Sequence, residues 1–152
     1  MLREQINDGL KAAMKAKDAR RVSTLRLVNS GIKNADIEAR GGGKGPLADD
    51  ALLGLLQKMI KQRQESVELY DKGGRPELAA QEREEIEIIT AFLPKQMDEG
   101  EARAAIEGVV KETGAASVKD MGRVMAALKE RYAGQMDFGK ASGAVKQILS
   151  GS

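Results

Sequence analysis

Apolar residues recur every three or four positions along most of this chain, as they do in helices that bury one face. In the first segment they form a single stripe, made of Leu2, Ile6, Leu10, Ala13 and Met14. No segment alternates apolar and polar residues with the two-residue period of a strand over more than four positions. The pattern therefore predicts an all-α fold.

Residues that begin or end helices divide the first part of the chain into four. The predicted starts carry a capping carboxylate or a proline suited to a first turn, at Asp18, at Asp49 or Asp50, and at Pro76. The predicted ends carry glycine or proline, at residues 41–46, 73–74 and Pro94. The expectation is an N-terminal four-helix bundle over residues 1–93.

The segments after Pro94 are shorter. Their predicted starts are the capping-box pair Asp98 and Glu101, the segment 117–120 and Asp137, and their predicted ends include Gly114 and Gly134. We therefore expect a small three-helix domain over residues 94–152, joined to the bundle by a hinge at Leu93-Pro94-Lys95-Gln96.

Missing residue types exclude several classes of chemistry. The chain has no cysteine and no histidine, which excludes disulfides, thiolate metal sites and an imidazole base. The glycine-rich segment 41–46 lacks the order of a phosphate-binding loop and no strand precedes it. We therefore predict no catalytic residue, no metal site and no cofactor.

No apolar run approaches the roughly 18 residues that cross a bilayer. The first residues carry charges and lack the apolar core of a signal peptide. The expectations are a cytoplasmic location and no membrane partner.

Charge is distributed in blocks, although the net charge is only +2. Residues 1–44 hold ten basic against five acidic side chains, and residues 117–146 hold six against three. Residues 77–87 are acidic, with five glutamates and one arginine. Blocks of this kind are typical of solvated helix faces that pair with one another.

Two arginines lie beside apolar stripes and need partners. Arg26 flanks the stripe of the second helix, and Arg63 interrupts that of the third. We expect both to form interhelix salt bridges with Glu82 or Glu85, the alternative being a ligand site built from the same groups. The glutamates are interpreted as a solvated face rather than an acid–base pair.

Four basic side chains near the C-terminal end are candidates for contacting phosphates. Lys119 and Arg123 are four residues apart, so we expect these two at least to share a helix face. Together with Lys140 and Lys146 they could form one basic face of the small domain. Such a face would bind a nucleic-acid backbone without reading bases, and ordinary surface charge is the alternative.

Gly122 lies in the predicted helix that carries Arg123. A glycine inside a helix costs roughly 1 kcal/mol relative to alanine, so it needs a reason. One reason is close packing against Ala141 or Ala144. The other is close approach of the backbone to a polyanion beside Arg123.

Four short strings, taken in order, resemble the YqeY family: Thr24-Leu25-Arg26-Leu27, Lys61-Gln62-Arg63, Phe92-Leu93-Pro94-Lys95-Gln96 and Asp120-Met121-Gly122-Arg123-Val124-Met125. That family is related to the tail of the B subunit of the tRNA-dependent amidotransferase. The resemblance implies a helical bundle followed by a three-helix domain, and a role near tRNA. The family's usual label, carbon–nitrogen ligase with glutamine as amido-N-donor, is inherited from the larger enzyme.

The functional expectation is an accessory tRNA-binding module without an active site of its own. Its expected RNA-binding residues are Lys119, Gly122, Arg123, Lys140 and Lys146. One alternative is a helical protein–protein adaptor that binds partners through the N-terminal bundle. The other is a subunit that assists amide transfer within a larger enzyme.

Overall fold

The fold is entirely helical in the computed structural model, which describes residues 1–151. Seven α-helices follow one another: α1 Leu2–Lys15, α2 Ala19–Gly41, α3 Asp49–Lys72, α4 Pro76–Thr90, α5 Glu99–Thr113, α6 Met121–Tyr132 and α7 Phe138–Leu149. A short 3₁₀ helix, Val118–Asp120, precedes α6, and no strand occurs within residues 1–151. The predicted all-α fold class is confirmed. Over the same residues, no helix is both long enough and apolar enough to cross a membrane.

Packing divides the chain into two compact units, with the boundary between Leu93 and Pro94. In the first unit, α1 to α4 all contribute to one core of buried aliphatic side chains: Leu2, Ile6, Leu25, Val28, Ile32, Leu52, Leu56 and Ile89. They recur at helical spacing, and Leu2 and Ile6 belong to the apolar stripe identified in the sequence.

The starts of the helices in this unit follow local chemistry. The Asp18 carboxylate accepts a hydrogen bond from the Arg21 backbone N–H and caps α2, α3 begins at Asp49, and Pro76 is the first residue of α4. These predicted starts are confirmed. The end of α4 differs from the prediction. The helix stops at Thr90, four residues before Pro94.

Phe92 lies in the turn that follows α4 and packs against the first core. A Cβ on Gly9 would lie only 3.0 Å from the Phe92 ring. The missing side chain at Gly9 therefore gives this ring its place beside α1.

The Asp36 carboxylate links α2 to α1 and to the segment before α3. The Arg3 guanidinium donates to both Asp36 oxygens, each at 2.7 Å, and also to the Leu47 carbonyl at 3.0 Å. The Leu47 N–H donates to the same carboxylate at 3.0 Å. The hydrogen bond from Arg3, followed by that from Leu47, lowers the pKa of Asp36 to about 2.

One of the two expected interhelix ion pairs is present. The Arg63 Nε atom lies 3.1 Å from a Glu85 oxygen, and the side chains are only 13% and 10% exposed. The prediction for Arg63 is confirmed. The prediction for Arg26 is wrong, because Arg26 is exposed and forms no ion pair with any residue of the described chain. The α2 residue that reaches α4 is Arg20, which pairs with Glu84 at 3.1 Å.

The solvated-face interpretation of the α4 glutamates is wrong for Glu85, which is buried beneath Arg63. Burial, together with the neighbouring Glu85 charge, raises the pKa of Glu82. Glu84 and Glu87 are exposed, as expected.

The second unit, from Pro94 onward, has its own core in which α5, α6 and α7 meet. Its buried members are Ile106, Val109, Val124, Leu128, Met136, Ala141, Val145 and Leu149. The predicted capping box between Asp98 and Glu101 is present, and Asp137 caps α7. The residues after Pro94 are tied to this unit, because the Gln96 side chain donates to the Gly134 carbonyl and the Met97 N–H donates to the Gln135 carbonyl.

We predict that residues 1–93 fold without the second unit. Every buried member of the first core lies within this range, so the fragment should be helical and should melt cooperatively. Circular dichroism during thermal unfolding measures this. A fragment without a cooperative transition would show that the second unit completes the core.

The buried Arg63–Glu85 pair should matter far more than an exposed pair. Glu85→Ala leaves Arg63 charged and buried, and we expect a loss of about 3–5 kcal/mol in the free energy of unfolding. The control is Arg83→Ala, since Arg83 pairs with Asp71 at 2.7 Å where both side chains are about half exposed. Urea titration should give the control a loss of about 0–1 kcal/mol. Equal losses of unfolding free energy in the two variants would show that the Arg63–Glu85 pair contributes no more than an exposed pair.

Candidate nucleic-acid interface

The five predicted RNA-binding residues are all exposed and lie on three neighbouring elements of the second unit. Lys119 is in the 3₁₀ helix, Gly122 and Arg123 are in the first turn of α6, and Lys140 and Lys146 are near the two ends of α7.

Lys119 and Arg123 do not lie on one regular α-helix. The 3₁₀ helix ends at Asp120 and α6 begins at Met121, so the four-residue spacing spans a junction. The two segments follow one another without a gap, and the expectation that Lys119 and Arg123 share one helix face stays a prediction. Both side chains are exposed, one on each side of that junction.

The Asp120 carboxylate forms hydrogen bonds with residues on both sides of the boundary between the 3₁₀ helix and α6. It accepts hydrogen bonds from the backbone N–H groups of Ala116 and Ser117, at 2.9 and 3.3 Å, and these bonds lower the pKa of Asp120. The carboxylate also accepts a hydrogen bond from Arg123 at 3.1 Å. The Arg123 charge is therefore partly balanced within the protein, which weakens it as a phosphate ligand.

The two α7 lysines do not lie in one row along the helix. They are six residues apart, which places them about 120° apart around the helix axis and about 9 Å apart along it. The candidate basic residues are therefore spread over three elements, and the single basic face of the small domain stays a prediction.

Lys119, Lys140 and Lys146 are exposed and form no ion pair with any residue of the described chain. Lys119 and Lys146 have no acidic residue three or four positions away on either side. Lys140 has only Asp137, whose carboxylate accepts hydrogen bonds from the first N–H groups of α7. These three ammonium groups are therefore available to an external anion.

Gly122 is the second residue of α6, not an interior residue. A Cβ at this position would meet no atom within 4 Å, so close packing against Ala141 or Ala144 is wrong. The backbone is open here, and the approach of a polyanion remains a prediction.

The aromatic side chains offer no platform for stacking bases. Tyr132 and Phe138 are half-buried and pack against the second core, while Tyr70 and Phe92 are half-buried in the first unit. Among the described residues, no group of three or more acidic side chains is arranged to hold a metal ion. The second unit exposes charges of both signs, and the groups on it that could meet a polyanion are its lysines and arginines.

Comparison with known proteins identifies the family. A family model described as Yqey-like protein matches residues 3–149. The chain therefore belongs to the YqeY-like family, as the four sequence strings indicated.

The chain is also similar to fungal proteins named Altered inheritance of mitochondria protein 41, mitochondrial. The protein of Lachancea thermotolerans is 45% identical over 84 residues, which cover 55% of this chain and 43% of the relative. That of Eremothecium gossypii is 35% identical over 88 residues, which cover 58% of this chain and 46% of the relative. That of Pyrenophora tritici-repentis is 31% identical over 129 residues, which cover 80% of this chain and 68% of the relative.

The matches to the first two relatives span less than half of those proteins. All three relatives are named as mitochondrial proteins. The expectation of a cytoplasmic location is therefore wrong, since it rested only on charged first residues that lack a signal peptide, and this feature does not separate the two compartments.

We predict that Gly122→Ala stabilises the protein. Nothing occupies the space of the new methyl group, and alanine favours a helix over glycine by up to about 1 kcal/mol. Thermal unfolding measures the change. A lower melting temperature would reveal a packing requirement at this position.

Proposed function

We propose that the chain is an accessory RNA-binding module, with tRNA as its ligand, that docks on the phosphate backbone and has no active site of its own. The observation that carries the proposal is that Lys119, Lys140 and Lys146, three of the six exposed lysines of the second unit, lie on the 3₁₀ helix and α7 beside the start of α6 and form no ion pair within the described chain. The YqeY family's relationship to the tail of the tRNA-dependent amidotransferase supports tRNA as the ligand.

The proposed mechanism is electrostatic. Each ammonium group that meets a phosphate releases condensed counterions, so affinity falls as salt rises. With three such groups and no exposed aromatic side chain in the described chain, binding is weak and does not depend on base sequence. The second unit thus recognises the shape and charge of the RNA backbone. The relatives' names favour a mitochondrial setting for this activity.

A protein–protein adaptor has less support. It would require a contiguous apolar patch on the first unit, where the large apolar side chains that are exposed include Met14, Leu27, Ile37 and Leu69. These belong to three different helices, and Leu27 and Ile37 are ten residues apart on α2. Scattered apolar side chains of this kind are normal on a protein surface.

The proposal is tested by removing the three lysines together. Lys119→Ala, Lys140→Ala and Lys146→Ala in one variant should weaken binding to different tRNAs alike. The salt dependence should become shallower by up to about one unit for each phosphate that the variant no longer binds. Fluorescence anisotropy with labelled tRNA over a salt series measures both quantities.

The matched control removes three other exposed lysines of the same unit, Lys95, Lys111 and Lys129. This control changes the net charge by the same amount. Because its lysines lie outside the proposed RNA-binding site, it should keep most of the affinity for tRNA. Unchanged binding in the Lys119, Lys140 and Lys146 variant would contradict the proposal. Capture of protein partners from a ribonuclease-treated lysate would then favour the adaptor.

A further inference from the structure

A row of three cations runs along the exposed side of α2. Arg26, Lys33 and Arg40 are each seven residues apart, and all three are exposed. Seven residues turn a helix by about 700°, so these side chains stay within about 40° of one another. They span about 21 Å along the helix axis. We call these three residues the α2 row.

The arginines of the α2 row are exceptions within this protein. Of the eleven arginines in the sequence, eight form ion pairs with residues of the described chain: Arg3, Arg20, Arg63, Arg75, Arg83, Arg103, Arg123 and Arg131. The other three, Arg21, Arg26 and Arg40, form none; Arg21 is half-buried, whereas Arg26 and Arg40 are exposed. An ion pair within the protein accounts for the position of most arginines, but not for that of Arg26 or Arg40.

The acidic side chains of α2 do not neutralise the row. Asp36 is one turn before Arg40 and its charge attracts Arg40, but its carboxylate forms its hydrogen bonds with Arg3 and Leu47, and Arg40 forms no ion pair with it. Glu38 is two residues before Arg40, which places it about 160° away around the helix. On this side of the helix, the three cations of the row are therefore separated by no acidic side chain except Asp36, whose charge is shared between Arg3 and Arg40.

The outer side of α3 shows the opposite arrangement. Charged residues there also recur at helical spacing and are exposed, in the order Lys58, Lys61, Glu65, Glu68 and Lys72. Pairs four residues apart, such as Lys61 and Glu65, carry opposite charges, which is the usual pattern of a solvated helix face. A row made only of cations is thus found on one side of α2 and not on the outer side of α3.

We propose that the α2 row is a second surface that binds the RNA backbone. This inference rests on the proposed function, since it takes the same ligand and adds contacts from the first unit. Arginine suits this role because its guanidinium forms two parallel hydrogen bonds to one phosphate. The hydroxyl of Ser30, exposed one turn after Arg26, offers a further hydrogen bond to a phosphate or ribose.

The test uses the full chain with Arg26→Ala, Lys33→Ala and Arg40→Ala combined. Anisotropy with labelled tRNA should show weaker binding, and the salt slope should become shallower by about 0.7–0.9 for each phosphate that is no longer neutralised. The matched control is Lys58→Ala, Lys61→Ala and Lys72→Ala, which removes the same charge from α3. The control should bind as the unchanged protein does, and circular dichroism should show both variants folded.

The outcomes separate this inference from the proposed function. If the α2 variant binds normally while the Lys119, Lys140 and Lys146 variant is weakened, the α2 surface is overturned and the proposed function stands. If neither variant binds tRNA more weakly, both the α2 surface and the proposed function are overturned. Equal weakening of the α2 variant and its α3 control would also overturn the inference, because net charge alone would then explain it.

The same variants are tested on vesicles that contain anionic lipid, since a membrane also presents phosphates. Loss of vesicle binding with unchanged tRNA binding would overturn RNA as the occupant of the α2 row. Weaker tRNA binding with unchanged vesicle binding supports it.

Discussion

The structure of the first unit depends on one carboxylate, that of Asp36. Its hydrogen bonds fix the residues on either side of the glycine-rich segment that connects α2 to α3. Residues 41–46 contain four glycines and a proline, so this segment has little structure of its own. Asp36 and Arg3 fix Leu47 by both its N–H and its carbonyl group, and thereby set where α3 begins. Asp49, at the start of α3, accepts in turn from the Leu2 N–H at the start of α1. Polar contacts thus fix a junction that apolar packing alone would leave loose.

Local chemistry made most of the fold predictable. Caps at Asp18, Asp98 and Asp137 involve residues within a few positions of one another, so the sequence alone indicates them. Contacts between distant residues were harder to foresee. The end of α4 at Thr90 places Phe92 beside Gly9, a partner more than eighty residues away in the chain.

The candidate site was predictable in residue type but not in arrangement. Lysines and arginines are identified directly from the sequence, whereas the change from a 3₁₀ helix to an α-helix between Lys119 and Arg123 was not predicted. Arg26 shows the same limit. Its position beside an apolar stripe suggested a partner on α4, yet Arg20, six residues earlier, is the residue that meets α4. Helix phase alone does not decide which of several arginines reaches a neighbouring helix.

The glycine-rich connection also makes this protein convenient to label. The sequence has no cysteine, and a Cβ at Gly45 would meet no atom within 4 Å. A cysteine introduced there would be the chain's single thiol, placed on a segment whose two ends are fixed by Asp36 and its neighbours. A fluorophore on that thiol would report on the first unit without displacing any packed side chain.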